Sequence, residues 1–204
     1  DIALGLGEVL NRVGQTNLAI DQLSAALEHS KASPFSNYRL GDVHYQLGRA
    51  YYDNGDYSDA LANLEKATYV LQESPEECQS FSKSDTEREI GWILCRQGKL
   101  GQALPRAKAA IGVARDLGDL DAEGSAHKLL ASIYYWNGQL SDSIKNAEAS
   151  LNIREKIGDI WKATSSHTTL GHLYHQIGQW PLAEKILRQA IDVQREIGDY
   201  YILA

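Results

Sequence analysis

The chain has 204 residues, 23% of them charged, and a net charge of −7 with its histidines neutral. An acidic balance of this size excludes a nucleic-acid surface for the chain as a whole, and no apolar run approaches the roughly 20 residues that cross a bilayer. No signal-peptide pattern opens the chain, and Cys78 and Cys95 form no metal or redox motif, which points to reduced thiols and a cytoplasmic placement.

Taken in order, the elements repeat. A worn first copy, LGEVLNRVGQTNLAIDQLSAA, begins at Leu6, and helical spacing of its apolar residues predicts helices over 1–13 and 16–30. The Pro- and Ser-containing joint Ser30–Tyr38 reads as a loop. The second copy, LGRAYYDNGDYSDALANLEKA from Leu47, predicts helices over 37–53 and 57–72, with Ser58 available to cap the second. A longer acidic joint, Gln72–Asp85, follows and reads as a surface insertion. The third copy from Ile90 predicts helices over 84–97 and 101–116.

The fourth copy, from Leu130, predicts helices over 119–137 and 141–156. Ala126, Leu129, Leu130, Ile133 and Tyr134 line one helix, and Leu140, Ile144, Ala147 and Leu151 the other. Ser141 could cap the second of these. The fifth copy, from Leu170, predicts 159–177 and 181–196, with Pro181 in the first turn, where its missing N–H is harmless. The turn glycines Gly14, Gly55, Gly98, Gly138 and Gly178 stand 41, 43, 40 and 40 residues apart. A fixed period of this size marks a helical repeat array and not a globular enzyme fold. Small residues recur in the first helices (Gly48, Gly91, Ala131, Gly171) and in the second (Ala19, Ala60, Ala103, Ser143, Ala183), where axes must approach. Tyr51, Leu94, Tyr134 and Tyr174 fill the gaps, with Leu64 and Leu187 opposite.

This pattern of Leu-Gly, Tyr, Gly, an aromatic or Leu, and Ala closely resembles the tetratricopeptide repeat (TPR) family across essentially the whole chain. The common unit has about 34 residues and these run near 40. The surplus lengthens the second helix and ends it at Leu117-Gly118-Asp119, Ile157-Gly158-Asp159 and Ile197-Gly198-Asp199, with Gly as the helix stop and Asp as the next N-cap. The long variety is similar to repeats of bacterial signal-transduction ATPases, transcriptional regulators and animal spindle-orientation adaptors. The resemblance implies an all-α, right-handed superhelical solenoid of five helix-turn-helix units. They form a single array over 1–204, divided at about 1–35, 36–80, 81–118, 119–158 and 159–198, with 199–204 opening a further repeat. With no methionine in the chain, the sequence is expected to be a piece of a longer protein.

In this family the first helices line a concave face. Positions six and three before the small residue, and one, four and five after it, are expected to be exposed there. They are Glu8, Asn11 and Arg12; Asp42, Tyr45, Arg49, Tyr52 and Asp53; Asp85, Arg88, Trp92, Cys95 and Arg96; Ser125, Lys128, Ser132, Tyr135 and Trp136; and Ser165, Thr168, His172, His175 and Gln176. Arg12, Arg49, Arg88, Arg96 and Lys128 form a candidate basic stripe with Tyr45, Tyr52, Trp92, Tyr135 and Trp136 between them. Arginine and aromatics are what peptide hot spots favour. The expected peptide-binding residues are Tyr45, Arg49, Tyr52, Arg88, Trp92, Arg96, Lys128, Tyr135, Trp136, His172 and His175. The subtype that grips chaperone tails needs lysine three before the small residue and asparagine just after it. Lys128 is followed by Ser132 at that place, and neither Tyr45 with Arg49 nor Arg88 with Trp92 fits, so such a tail is not the expected ligand.

No catalytic set converges. His172 and His175 with His167 lack a further ligand at metal spacing, Ser165, Ser166 and His167 form no triad, and the glycines keep the repeat period instead of cradling phosphate. No cofactor or metal is expected. Trp180 reads as core packing, and Trp161 as either packing or a rim contact. The leading expectation is a non-catalytic interaction module for a peptide or partner domain carrying acidic groups, without nucleic acid or membrane. The alternatives are a ligand-sensing segment of a bacterial signalling ATPase or transcription regulator, and a self-assembly scaffold.

Overall fold

A computed structural model describes residues 2–32, 37–73, 82–196 and 198. Among the described residues all regular structure is helical. The elements are α1 (Ile2–Arg12), α2 (Thr16–Ala32), α3 (Asn37–Asn54), α4 (Tyr57–Glu73), α5 (Lys83–Arg96), α6 (Leu100–Leu117), α7 (Leu120–Trp136), α8 (Leu140–Ile157), α9 (Ile160–Gln176) and α10 (Trp180–Glu196). They follow the helix-turn-helix order that the glycine period predicts, with every end within two residues of its expected place. Cys78, Ile197 and Asp199 lie outside the described residues, as do 33–36 of the first joint and 74–81 of the second.

Two compact units divide the chain, Asp1–Lys99 with α1–α5 and Leu100–Ala204 with α6–α10. In the first, α2 packs on α1 and α3, α4 packs between α3 and α5, and α3 touches both α1 and α5. Ala19, Leu23 and Ala26 of α2 bury against Val43, Leu47 and Ala50 of α3. In the second unit each helix from α6 to α9 packs on its successor, and Ala131, Ala147, Leu170 and Leu173 make a core edged by Ile144, Leu151 and Tyr174.

The small residues set these distances. A Cβ on Gly48 would lie 2.6 Å from Leu64 Cγ, and one on Gly171 would lie 2.5 Å from Leu187 Cγ, so only glycine admits those leucines. The fourth pair varies the theme: Ser143 sits buried where the other second helices carry alanine, and its hydroxyl donates to the Ala131 carbonyl at 2.8 Å.

One turn closes the helices within a pair and also those between pairs. Gly138 has φ 74°, its N–H donates to Tyr135 O at 3.0 Å, and Gln139 N–H reaches back to Tyr134 O at 2.8 Å. This is the glycine-stopped Schellman motif. Gly158 repeats it with Glu155 and Arg154, after which the Asp159 carboxylate caps α9 by accepting from Lys162 N at 2.9 Å. Asp119 caps α7 in the same way through Ala122 N. The serine caps expected within pairs are not found. The turn is so tight that α8 begins at Leu140 and α4 at Tyr57, leaving Ser141 and Ser58 inside the first turn and exposed. Asn137 instead spans its glycine to Gln139 Oε1 at 2.8 Å, and Asn54 spans Gly55 to Asp56 Oδ2 at 2.7 Å. The end of the second joint is a helix start: Ser82 and Asp85 form a capping box for α5.

Candidate functional site

The first helices of the first unit turn several expected groove residues toward one another. Asn11 of α1 donates to Gln46 O at 2.9 Å and to Gln46 Oε1 at 3.2 Å on α3. Asp42, Tyr45 and Cys95, expected to be exposed, are buried. Neighbouring first helices lie close enough that these positions face the next helix instead of solvent. Burial pushes the Tyr45 phenol up, and Glu89 and Asp85 push it further. Burial pushes the Cys95 thiol up to about 11.

Arg88 is not a free cation. Its Nη1 lies 2.9 Å from Asp85 Oδ1 and its Nη2 lies 2.8 Å from Glu89 Oε1, with both partners largely shielded. Burial works against its charge, and Glu89 and Asp85 more than offset that, so its pKa is raised. Arg49 is half-buried and acts on Asp53, whose carboxyl is nevertheless raised by burial. Arg96 is exposed and touches the Tyr52 hydroxyl at 3.4 Å. The expected basic stripe is therefore compensated in this unit, where Asp42, Asp53, Asp85 and Glu89 share the face with Arg49, Arg88 and Arg96. Tyr52 and Trp92 are half-buried there. Glu89 was missed because it stands two before the small residue, the position that faces the preceding first helix; Gln46 holds the same place opposite Asn11.

The second unit keeps a different balance. Lys128 of α7 reaches α9, where its Nζ donates to Ser165 Oγ at 3.0 Å. Behind it lies Arg154, only 2% exposed and sent across from α8. A Cβ on Gly124 would come within 3.1 Å of the Arg154 guanidinium carbon, so this glycine opens the passage through α7. Arg154 then donates to the Asp121 carboxylate, to Asp121 O at 2.8 Å and to Ser125 Oγ. Asp121 also receives Lys162 Nζ at 2.7 Å, and Asp159 lies 3.3 Å from the same ammonium. Burial would raise the Asp121 carboxyl, but Lys162 and Arg154 hold it below its ordinary value. Lys128 is lowered by burial, with Arg154 adding to the effect.

Around this polar centre the aromatics stay in solvent. Tyr135 is 41% exposed, Trp136 45% and Trp161 58%, so Trp161 is not core packing. Trp180, expected in the core, is 66% exposed because it opens α10 at the turn instead of entering the helix interface. His172 and His175 are exposed on α9. The α9 hydroxyls of Thr164, Ser166, Thr168 and Thr169 donate to the carbonyl four residues back, whereas Ser165 accepts from Lys128. Among the described residues no three His, Cys, Asp or Glu side chains gather as a metal site, and no helix is long and apolar enough to cross a membrane.

Arg154 is the residue that spacing could have revealed. Ser143, Ala147, Ser150 and Arg154 form the buried stripe of α8, and the place of Arg154 is taken by Leu71, Ala114 and Gln194 in other second helices. A charge on a buried stripe needs partners.

The tetratricopeptide repeat family model matches residues 1–73 and 122–196. The chain belongs to the tetratricopeptide repeat family. No curated protein matches this TPR chain by sequence. Among solved structures it is similar to a Podosopora anserina protein described as a kinesin light chain with nearly identical TPR-like repeats, at 18% identity and a TM-score of 0.71, covering 96% of this chain and 94% of that one. A Rap protein complexed with Competence and Sporulation Factor matches at 16% identity and a TM-score of 0.83, covering 98% of this chain and 55% of that one. The Rap conjugation gene regulator of plasmid pLS20, in complex with the Phr* peptide, matches at 19% identity and a TM-score of 0.80, covering 97% and 54%. At these identities the likeness is one of TPR fold.

Proposed function

We propose that this TPR chain is a non-catalytic interaction module that holds a peptide or partner segment against its first helices. The observation that carries this reading is the solvent-exposed set Tyr135, Trp136 and Trp161 around the Lys128–Ser165 bridge of α7 and α9. Large rings left in water beside a cation are the material of binding hot spots. Two similar TPR structures, both Rap proteins, hold a signalling factor or a peptide. The first unit has a candidate surface of its own, with Arg49, Tyr52, Trp92 and Arg96 at its face and Tyr45 and Arg88 bracing it from within. His172 and His175 supply its polar edge on α9.

The test is selection of short random peptides displayed on phage, carried out against the wild-type chain and against Tyr135→Ala/Trp161→Ala. Peptides enriched on the wild type and lost on the double variant are expected. Peptides that bind both equally, or no enrichment at all, would end the reading. The second reading is a ligand-sensing segment of a regulator, and one likeness favours it: a similar TPR structure is a Rap conjugation gene regulator in complex with a peptide. A small molecule that raises the melting temperature of the isolated chain would support it.

A further inference from the structure

We infer that the cleft between α3 and α4 of the first unit is a seat for an arginine side chain of a partner segment, whose guanidinium is received by the neutral imidazole of His44. The inference does not rest on the peptide-binding reading. By helical spacing Leu40 and His44 stand on the other side of α3 from Tyr45, Arg49 and Tyr52.

Three observations carry it. The first is an open acceptor. Asn63 spends its Nδ2 on the Asp59 carbonyl at 2.9 Å, so its Oδ1 takes the His44 Nδ1 proton, also at 2.9 Å. The Nε2 lone pair of that tautomer is an acceptor. It has no partner among the described residues, yet it is not one of the sealed polar atoms. His44 is 8% exposed and lines a cleft of about 570 Å³, so Nε2 looks out into that space. Burial, aided by Lys66, holds the imidazole below its ordinary pKa and keeps the acceptor in place at neutral pH.

The second is a precedent within the molecule. His44 and His127 stand four residues before the small residues Gly48 and Ala131, and Asn63 and Asn146 stand three after Ala60 and Ser143. Asn146 donates to Asp142 O at 2.8 Å and lies 2.9 Å from His127 Nδ1, so the second unit repeats the clasp. There the Nε2 is met by a guanidinium. Arg115 Nη2 lies 3.3 Å from it, and Arg115 Nε donates to Glu123 Oε1 at 2.6 Å. Arg115 arrives from the last turn of another helix, α6.

The third is charge and shape. Leu40 holds the place of Glu123 on α3, and the carboxylates of the first-unit cleft come instead from α4. They are Glu65 and Glu73, both exposed and without a partner among the described residues. Lys66 is the one cation of the lining, so negative charge is in excess. Leu40, Ala62, Val70 and the ring of Tyr69 give walls of carbon, and that ring is 64% exposed. An arginine matches this: its stem lies along carbon, and its flat cation stacks on an aromatic face. Its fork can serve an imidazole and a carboxylate at once, as Arg115 does, which a lysine ammonium does less well.

The experiment follows the full, isotope-labelled chain by NMR during titration with Nα-acetyl-arginine amide, a blocked arginine that imitates the residue within a polypeptide. The neutral citrulline analogue is titrated beside it. A ligand of this size is expected to bind with a Kd on the order of 1–10 mM. The His44 imidazole nitrogens and the Ala62 and Val70 amides should move, with citrulline bound about tenfold more weakly. Glu65→Gln/Glu73→Gln, at exposed positions, should weaken the arginine ligand by a similar factor. Lys66→Gln should tighten it, and Glu184→Gln on α10 should leave it unchanged. Equal binding of arginine and citrulline, a shift that survives the double variant, weakening by Lys66→Gln, or no movement at about 50 mM each overturns the seat. Free arginine that binds more tightly than the blocked form overturns the partner segment and makes the ligand the free amino acid. The phage test of the α7 and α9 surface is independent of all these outcomes.

Discussion

Burial holds the His44 imidazole below its ordinary pKa of 6.5, with the Asn63 hydrogen bond opposing and Lys66 adding to the depression. Asn63 spends its Nδ2 on Asp59 O, so its Oδ1 receives the Nδ1 proton of His44 at 2.9 Å. The same clasp joins His127 to Asn146 at 2.9 Å, tying a first helix to its second in each unit. The unfolded chain takes up the His44 proton before the folded chain does, so the stabilisation is full above about pH 6.5 and is lost as pH falls below it. Urea midpoints should decline between about pH 7 and about pH 5 in the wild type and decline less in His44→Gln; parallel declines would place the effect on other groups. Glycine contacts give a second prediction at this scale. Gly48→Ala should cost roughly 1–3 kcal/mol of stability by thermal or urea unfolding, because the new methyl meets the fully buried Leu64. Gly171→Ala should cost less, since Leu187 is only half-buried and can yield, and Gly5→Ala, with nothing within 4 Å, should cost nothing.

Among the helices, the stop signal does more than the start signal. Every turn glycine adopts positive φ and bonds back to the helix it closes through its own N–H, joined from Gly14 to Gly178 by the N–H of the next residue, so Gly138→Ala should destabilise by about 1–2 kcal/mol even though an added Cβ meets open space. A melting temperature unchanged in Gly138→Ala would contradict that. This is also why the helices were legible from the sequence: the glycine is the physical cause of the turn, and its period gives the ends directly. Asp119 and Asp159 were legible as caps for the same reason, standing just after such a stop. Ser58 and Ser141 misled because a Schellman turn leaves no residue between glycine and helix for a serine to occupy beyond Asp56 or Gln139. Trp180 misled because apolar character was read as burial at a position where the helix has barely begun. The candidate site was only half legible. Lys128, Tyr135 and Trp136 follow from helical spacing along one helix, whereas Arg154, Asp121 and Lys162 come from three helices, and Arg88 loses its freedom to Glu89 at a position outside the expected face.

Taken whole, the molecule carries −7, and yet the partner expected from its sequence carries acidic groups. The two fields act at different ranges. The overall charge repels an acidic peptide at a distance, and an exposed cation such as Lys128 would attract it at contact. Raising ionic strength from about 0.01 M to about 0.15 M shortens the screening length from ~30 to ~8 Å. The association rate of an acidic peptide should therefore hold steady or rise over that range, while the dissociation rate increases. A steep fall in association rate, seen by stopped-flow polarisation, would mean that a larger basic field guides the peptide. The passage of Arg154 through α7 at Gly124 has a consequence for anyone who would re-engineer the array. Asp121, Ser125 and Lys128 come from one repeat's first helix, Arg154 from its second, and Lys162 and Ser165 from the repeat after. A polar cluster of this kind is a property of a junction. A graft of the fourth repeat alone into another scaffold would carry Asp121, Lys128 and Arg154 without Lys162 and Ser165, and only the two adjoining repeats moved together would keep the cluster whole.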